Sequence, residues 1–165
     1  MMTREEAIAR ILKRHGVEAV YVASTGFVSR AVRAVAGEDY LVFYMQGSMG
    51  LAPAIGLGIA ISSETEVVVI NGDGALLMSL GTTHTASDLA LPNFFHYVLD
   101  NGCHESVGGQ RCAPLDAHYG GVTEVIPIGR GGRPPRVGIQ PAENAHAVRT
   151  ALMRTRVRPG ADVKC

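Results

Sequence analysis

The chain has 165 residues, with 15 Lys plus Arg balanced by 15 Asp plus Glu. Its 47% hydrophobic and 18% charged residues exclude intrinsic disorder, and the length fits one domain, 1–165, able to bury a real core. Zero net charge leaves no footprint for nucleic acid and favours association with another chain.

Thr3 and Glu6 have capping-box spacing, and Ala7, Ile8, Ile11 and Leu12 make a helical stripe, so residues 3–15 are predicted to be a helix ended by Gly16. This N-terminus is amphipathic and lacks the apolar core of a signal peptide. Residues 17–24, VEAVYVAS, read as a strand and 27–36 as a helix. DYLVFYM at 39–45 is a second strand. GLAPAIGLGIAISS, the most apolar stretch, spans 14 residues, short of the roughly 20 that a membrane span needs, and is read as a buried helix. EVVVIN at 66–71 is a third strand, 75–90 a helix and FFHYVLD at 94–100 a fourth strand. Alternating helices and nearly all-apolar strands specify an α/β, doubly wound, mostly parallel sheet with helices on both faces.

Beyond residue 100 the pattern loosens. NGCHESVGGQRCAP reads as a polar loop, TEVIPIG at 123–129 as a strand, and 130–136 as a surface turn. PAENAHAVRTALMRT at 141–155 is a helix, and the tail from 156 holds a short edge strand. Cys103, Cys112 and Cys165 form no CxxC pair, which suggests reduced thiols and a cytoplasmic protein.

Ligands of open parallel sheets sit beyond the carboxyl ends of the strands. Here those ends are Ser24-Thr25-Gly26, Gln46 to Gly50, Asn71 to Gly74, and Asp100-Asn101-Gly102. All are small or polar. Gly72-Asp73-Gly74 permits a sharp turn and close approach to a phosphate, with the following helix start supplying free N–H groups. Asp73 alone reads equally as a helix N-cap. Asp100, 27 residues on and also at a strand end, favours a shared divalent cation, since a carboxylate otherwise repels phosphate.

Gly72-Asp73-Gly74 followed by Asp100-Asn101-Gly102 resembles the Gly-Asp-Gly … Asn-Asn motif of thiamine diphosphate enzymes, with Asp100 replacing the first asparagine. Residues 43–50, FYMQGSMG, resemble the segment that holds thiamine bent. Residues 99–110, LDNGCHESVGGQ, and the GSMGLA run are similar to phosphonopyruvate decarboxylases and to sulfopyruvate decarboxylase β subunits. The resemblance covers about residues 17–113 and implies a thiamine diphosphate-binding fold of the diphosphate-binding type. It implies Mg²⁺ on Asp73, Asp100 and the Gly102 carbonyl. Thr25, Gly26, Gly72, Gly74, Ala75, Leu76 and Asn101 would bind cofactor, as would Gly47, Ser48 and Met49, with Met49 wedged between the thiamine rings.

The implied activity is decarboxylation of a 3-substituted pyruvate, 3-phosphonopyruvate or 3-sulfopyruvate, to the aldehyde and CO₂. A separate pyrimidine-binding α subunit would supply an activating glutamate, giving a hetero-oligomer such as α2β2, with the chain inactive alone. His104 and Glu105 are the catalytic candidates, and Ser106, Gln110 and Arg111 the substrate candidates. A loop-packing histidine and a solvated arginine fit His104 and Arg111 equally. His84 reads as structural, and Cys103 and Cys112 as bystanders. Phe27 stands where phosphonopyruvate enzymes carry lysine, and the chain from Tyr119 onward departs from the family pattern. Carboligation by the same cofactor and a non-catalytic phosphate- or nucleotide-binding module are the alternative readings.

Overall fold

The computed structural model describes residues 1–115 and 118–155. The chain runs α1 (Arg4–His15), β1 (Val20–Ala23), α2 (Phe27–Ala36), β2 (Leu41–Tyr44), α3 (Ala52–Ser62), β3 (Val67–Gly72), α4 (Asp73–Leu77), α5 (Leu80–Leu89) and β4 (Phe94–Asp100). The short strands β5 (Cys103–His104) and β6 (Gln110–Arg111) flank a 3₁₀ turn, and β7 (Glu124–Pro127) and α6 (Pro141–Leu152) follow.

Five parallel strands form the sheet in the order β2-β1-β3-β4-β7. Period-two alternation sends Tyr21, Ala23, Val68 and Ile70 into one core with α1 and α2. It sends Val22, Val67 and Val69 into a second core beneath α3. Both faces are therefore covered, as the unbroken apolar strands predict. α1 begins with the expected capping box: the Glu6 N–H donates to Thr3 Oγ1 at 3.1 Å, and the Thr3 N–H donates to Glu6 Oε2 at 2.8 Å.

Three expectations need correction. The helix predicted at 75–90 is two helices, broken at Ser79, whose backbone sits at φ −143°, ψ 41°. There the chain passes Gly50, where a Cβ would meet Met78 Cβ at 3.0 Å and the Ala75 carbonyl at 3.3 Å. The polar loop after Asp100 holds the antiparallel β5–β6 ladder, closed by the Gly109 N–H donating to the His104 carbonyl at 3.0 Å. The final helix stops at Leu152. The irregular 130–136 segment is mostly exposed, as expected, although Pro134 is buried. The expected tail strand and Cys165 lie outside the described residues. Among the described residues no helix is long and apolar enough to cross a membrane.

Candidate functional site

β1 has β2 on one side and β3 on the other, so the strand order reverses there. Connections leaving β1 and β3 diverge to opposite faces and open a crevice at their carboxyl ends. A cavity of about 410 Å³ occupies it. Thr25, Gly26, Gly47, Ser48, Met49, Gly72, Asp73, Gly74 and Ala75 line it from the ends of β1, β2 and β3. Asn101, His104, Glu105 and Ser106 line it from the loop after β4. Four loops predicted to carry the site thus meet in one place. Leu76, Asp100, Gly102, Gln110 and Arg111 do not line the cavity. Leu76 is wholly buried, and Gln110 and Arg111 lie exposed on β6.

The loops fit closely. The Gly47 N–H donates to Thr25 Oγ1 at 3.0 Å, joining the ends of β1 and β2. Ser48 holds φ 51°, a left-handed conformation that costs a non-glycine residue energy. A Cβ on Gly74 would overlap the His104 ring, and one on Gly26 would meet Ser106 Oγ at 2.9 Å. Glycine at these positions lets the His104 and Ser106 side chains pack against the loops after β3 and β1.

Asp73 is 5% exposed and directly follows β3. Its Oδ1 accepts the Gly74 N–H at 2.8 Å, while its Oδ2 is buried with no hydrogen-bond partner. Burial pushes its pKa up, the Gly74 amide opposes that, and the Asp100 charge adds to the rise. Parallel pairing of Gly72 with Leu99 brings the two carboxylates together. A buried carboxylate oxygen without a donor, facing a second carboxylate, is a costly arrangement that a cation relieves. Asp100 Oδ1 accepts the Gly102 N–H at 3.0 Å. The Gly102 carbonyl accepts the Cys112 N–H at 2.9 Å, which uses one of its two lone pairs. Among the described residues no three His, Cys, Asp or Glu side chains gather in metal-holding geometry. The donor set is two carboxylates and a carbonyl, which suits a hard cation completed by phosphate oxygens and water. Burial, then the charges of Asp73 and Asp100, push the Cys112 thiol pKa up.

Several lining residues carry no sequence signal. Arg4, Arg30 and Ile128 all face the cavity, beside Phe27, where phosphonopyruvate enzymes carry lysine, and Val107 of the 99–110 motif. Arg4 reads as a solvated first-turn arginine, yet it is 2% exposed and ion-paired to Glu105. Its guanidinium and that of Arg30 each lie 5.5 Å from the Phe27 ring centre. The His84 side chain is exposed and outside the cavity.

The thiamine pyrophosphate enzyme C-terminal TPP binding domain matches residues 7–164. A phosphonopyruvate decarboxylase of Streptomyces viridochromogenes is 44% identical over 109 residues, 66% of this chain and 27% of that protein. The sulfopyruvate decarboxylase subunit beta of Methanocaldococcus jannaschii is 35% identical over 128 residues, 78% of this chain and 65% of that subunit. The matched region therefore spans from about a quarter to just under two thirds of these relatives. The X-ray structure of a protein described as a thiamin diphosphate-dependent enzyme from Mycobacterium smegmatis superposes with TM-score 0.57 at 19% identity, covering 93% of this chain and 30% of that one.

Proposed function

Since the chain belongs to the thiamine pyrophosphate enzyme family through its C-terminal TPP binding domain, we propose that it is the diphosphate-binding part of a Mg²⁺-dependent decarboxylase of 3-substituted pyruvates. Decarboxylases dominate its relatives, and their named substrates, phosphonopyruvate and sulfopyruvate, are pyruvates with an anionic 3-substituent. The observation that carries the reading is the partnerless, buried Asp73 Oδ2 opposite Asp100, at the edge of the cavity.

Asp73, Asp100 and the Gly102 carbonyl would hold Mg²⁺. Amides of Gly74, Ala75 and Leu76, with Thr25 and Gly26, would bind the diphosphate. Gly47, Ser48 and Met49 would orient the thiamine, and Gly72 and Asn101 complete the cofactor contacts. The cofactor, when bound, supplies the electron sink for CO₂ loss. His104 lies against Gly74 inside the cavity, placed to hold or deliver a proton there or to meet a substrate anion, and Ser106 lies next to it at Gly26. Gln110 and Arg111, on the exposed β6, would reach substrate only through a partner-induced shift.

Relatives named subunit beta support a separate partner, read here as a pyrimidine-binding α subunit in a cytoplasmic hetero-oligomer. Calorimetric titration with thiamine diphosphate and Mg²⁺, on the chain alone and with a candidate partner, tests this. Binding that requires both Mg²⁺ and Asp73, and that tightens with the partner, is expected. Equal binding by Asp73→Ala would overturn the metal assignment, and aldehyde with CO₂ as the only products would separate decarboxylation from carboligation.

A further inference from the structure

A second cleft, of about 380 Å³, opens beside the cofactor cavity. The two share Thr25, Gly26, Arg30 and Gly47, and the second continues to the start of α6. Its charged lining is wholly cationic: Arg30 and Arg136, with no aspartate or glutamate. That asymmetry stands out in a chain of zero net charge. Neither arginine takes part in the ion pairs found among the described residues. Arg30 is held by the Phe27 ring face, a contact that leaves its N–H donors free.

A second feature is independent of charge. Ser29, 2% exposed, lines the same cleft, and its hydroxyl has no hydrogen-bond partner. Buried hydroxyls are normally satisfied, so this one is a donor waiting for an acceptor. The rim agrees with both. α6 starts there at Gln140 and Pro141 without a side-chain cap, which leaves first-turn N–H groups open. Gln46 Nε2 donates to the Ile139 carbonyl at 3.2 Å and pins the loop after β2 to the segment entering α6.

We propose that this cleft binds a tetrahedral oxyanion, with Arg30 and Arg136 as counter-charges and the Ser29 hydroxyl as a donor. Phosphate, phosphonate and sulfonate share that chemistry. The cleft adjoins the cofactor cavity, so it suits the 3-substituent of the substrate; this choice of source rests on the decarboxylase reading, while the anion site itself does not.

Calorimetric titration of the full chain with inorganic phosphate and with methylphosphonate tests the proposal, on wild type, Arg136→Gln, Ser29→Ala and His104→Gln. Arg136 is exposed and Ser29→Ala only removes an oxygen, so both variants should fold, which thermal melting checks. His104 lines the cofactor cavity alone and reports anion lodged there instead. Phosphate affinity should fall about tenfold in Arg136→Gln, which loses a cationic donor, and severalfold in Ser29→Ala, which loses an uncharged donor to the anion, and stay within about twofold in His104→Gln. Unchanged affinity in Arg136→Gln and Ser29→Ala, or a loss confined to His104→Gln, overturns the site. Methylphosphonate binding as well as phosphate assigns the cleft to an organic substituent; phosphate binding alone assigns it to the free ion. Failure of the wild type to bind thiamine diphosphate with its partner would sink the decarboxylase reading and leave the phosphate result standing.

Discussion

Both carboxylate oxygens of Glu105 are engaged. Oε1 accepts the Gly131 N–H at 2.9 Å, and Oε2 accepts Asn101 Nδ2 at 3.1 Å and pairs with the Arg4 guanidinium. Arg4 Nη1 also donates to the Gly132 carbonyl at 3.4 Å. These bonds tie α1, the loop after β4 and the 130–136 turn into one unit, which gives Glu105 a positioning role in the proposed site. Glu105→Ala would leave the buried Arg4 charge with only the long contact to Glu5, 3.9 Å away, and we expect a stability loss of about 3 kcal/mol, read as a lower urea midpoint. A surface acid whose role is proton transfer alone would leave that midpoint nearly unchanged. The sequence marks Glu105 by its motif but hides Arg4, which lies 101 residues away and looks like any solvated first-turn cation.

At the scale of elements, two contacts hold the frame. α3 packs on β3 at Gly56, where a Cβ would overlap Val69 Cγ2. Helix propensity alone says that alanine there gains about 1 kcal/mol. Overpacking of an interdigitated core outweighs that gain, so Gly56→Ala should destabilise by about 1–3 kcal/mol in denaturant unfolding. β2 is an edge strand, and its free backbone groups are capped from α6: the Tyr44 N–H donates to Asn144 Oδ1 at 2.9 Å, and Asn144 Nδ2 donates to the Val42 carbonyl at 2.7 Å. Asn144→Ala would strand both groups at a cost of about 2 kcal/mol, measurable the same way, and Asn144→Asp should lose at least the bond to Val42. Periodicity makes α1 and α2 legible, and α3 is legible as an unbroken apolar run. The break at Ser79 is not legible, since it depends on Gly50 pressing against the turn from another part of the chain.

For the whole molecule, the sheet buries a titratable group at its centre. His96 on β4 is wholly buried, and Asn71 Nδ2 lies 3.3 Å from its Nε2. Its Nδ1 finds no hydrogen bond of good geometry. Burial pushes its pKa down to about 4 from 6.5, with the Gly121 carbonyl pulling weakly upward. Between those values the unfolded chain binds a proton that the folded chain refuses. Stability should therefore fall as pH drops from about 6.5 to about 4, with a slope approaching 1.4 kcal/mol per pH unit, and show no contribution from His96 above that window. Urea midpoints across that range, with His96→Asn flattening the slope, check the assignment.

Local chemistry determined much from the sequence alone. Unbroken apolar strands alternating with amphipathic helices specify a covered parallel sheet, because only burial on both faces tolerates such strands. Small and acidic residues at the strand ends place a site at the carboxyl edge. Tertiary structure alone decided which of those loops converge, because convergence depends on β1 lying between β2 and β3. It also decided that Asp73 and Asp100 face each other, that Arg4 is buried against Glu105, and that Ser29 and Arg136 share a cleft. These are pairings between residues far apart in the chain, set by packing, and no local periodicity encodes them.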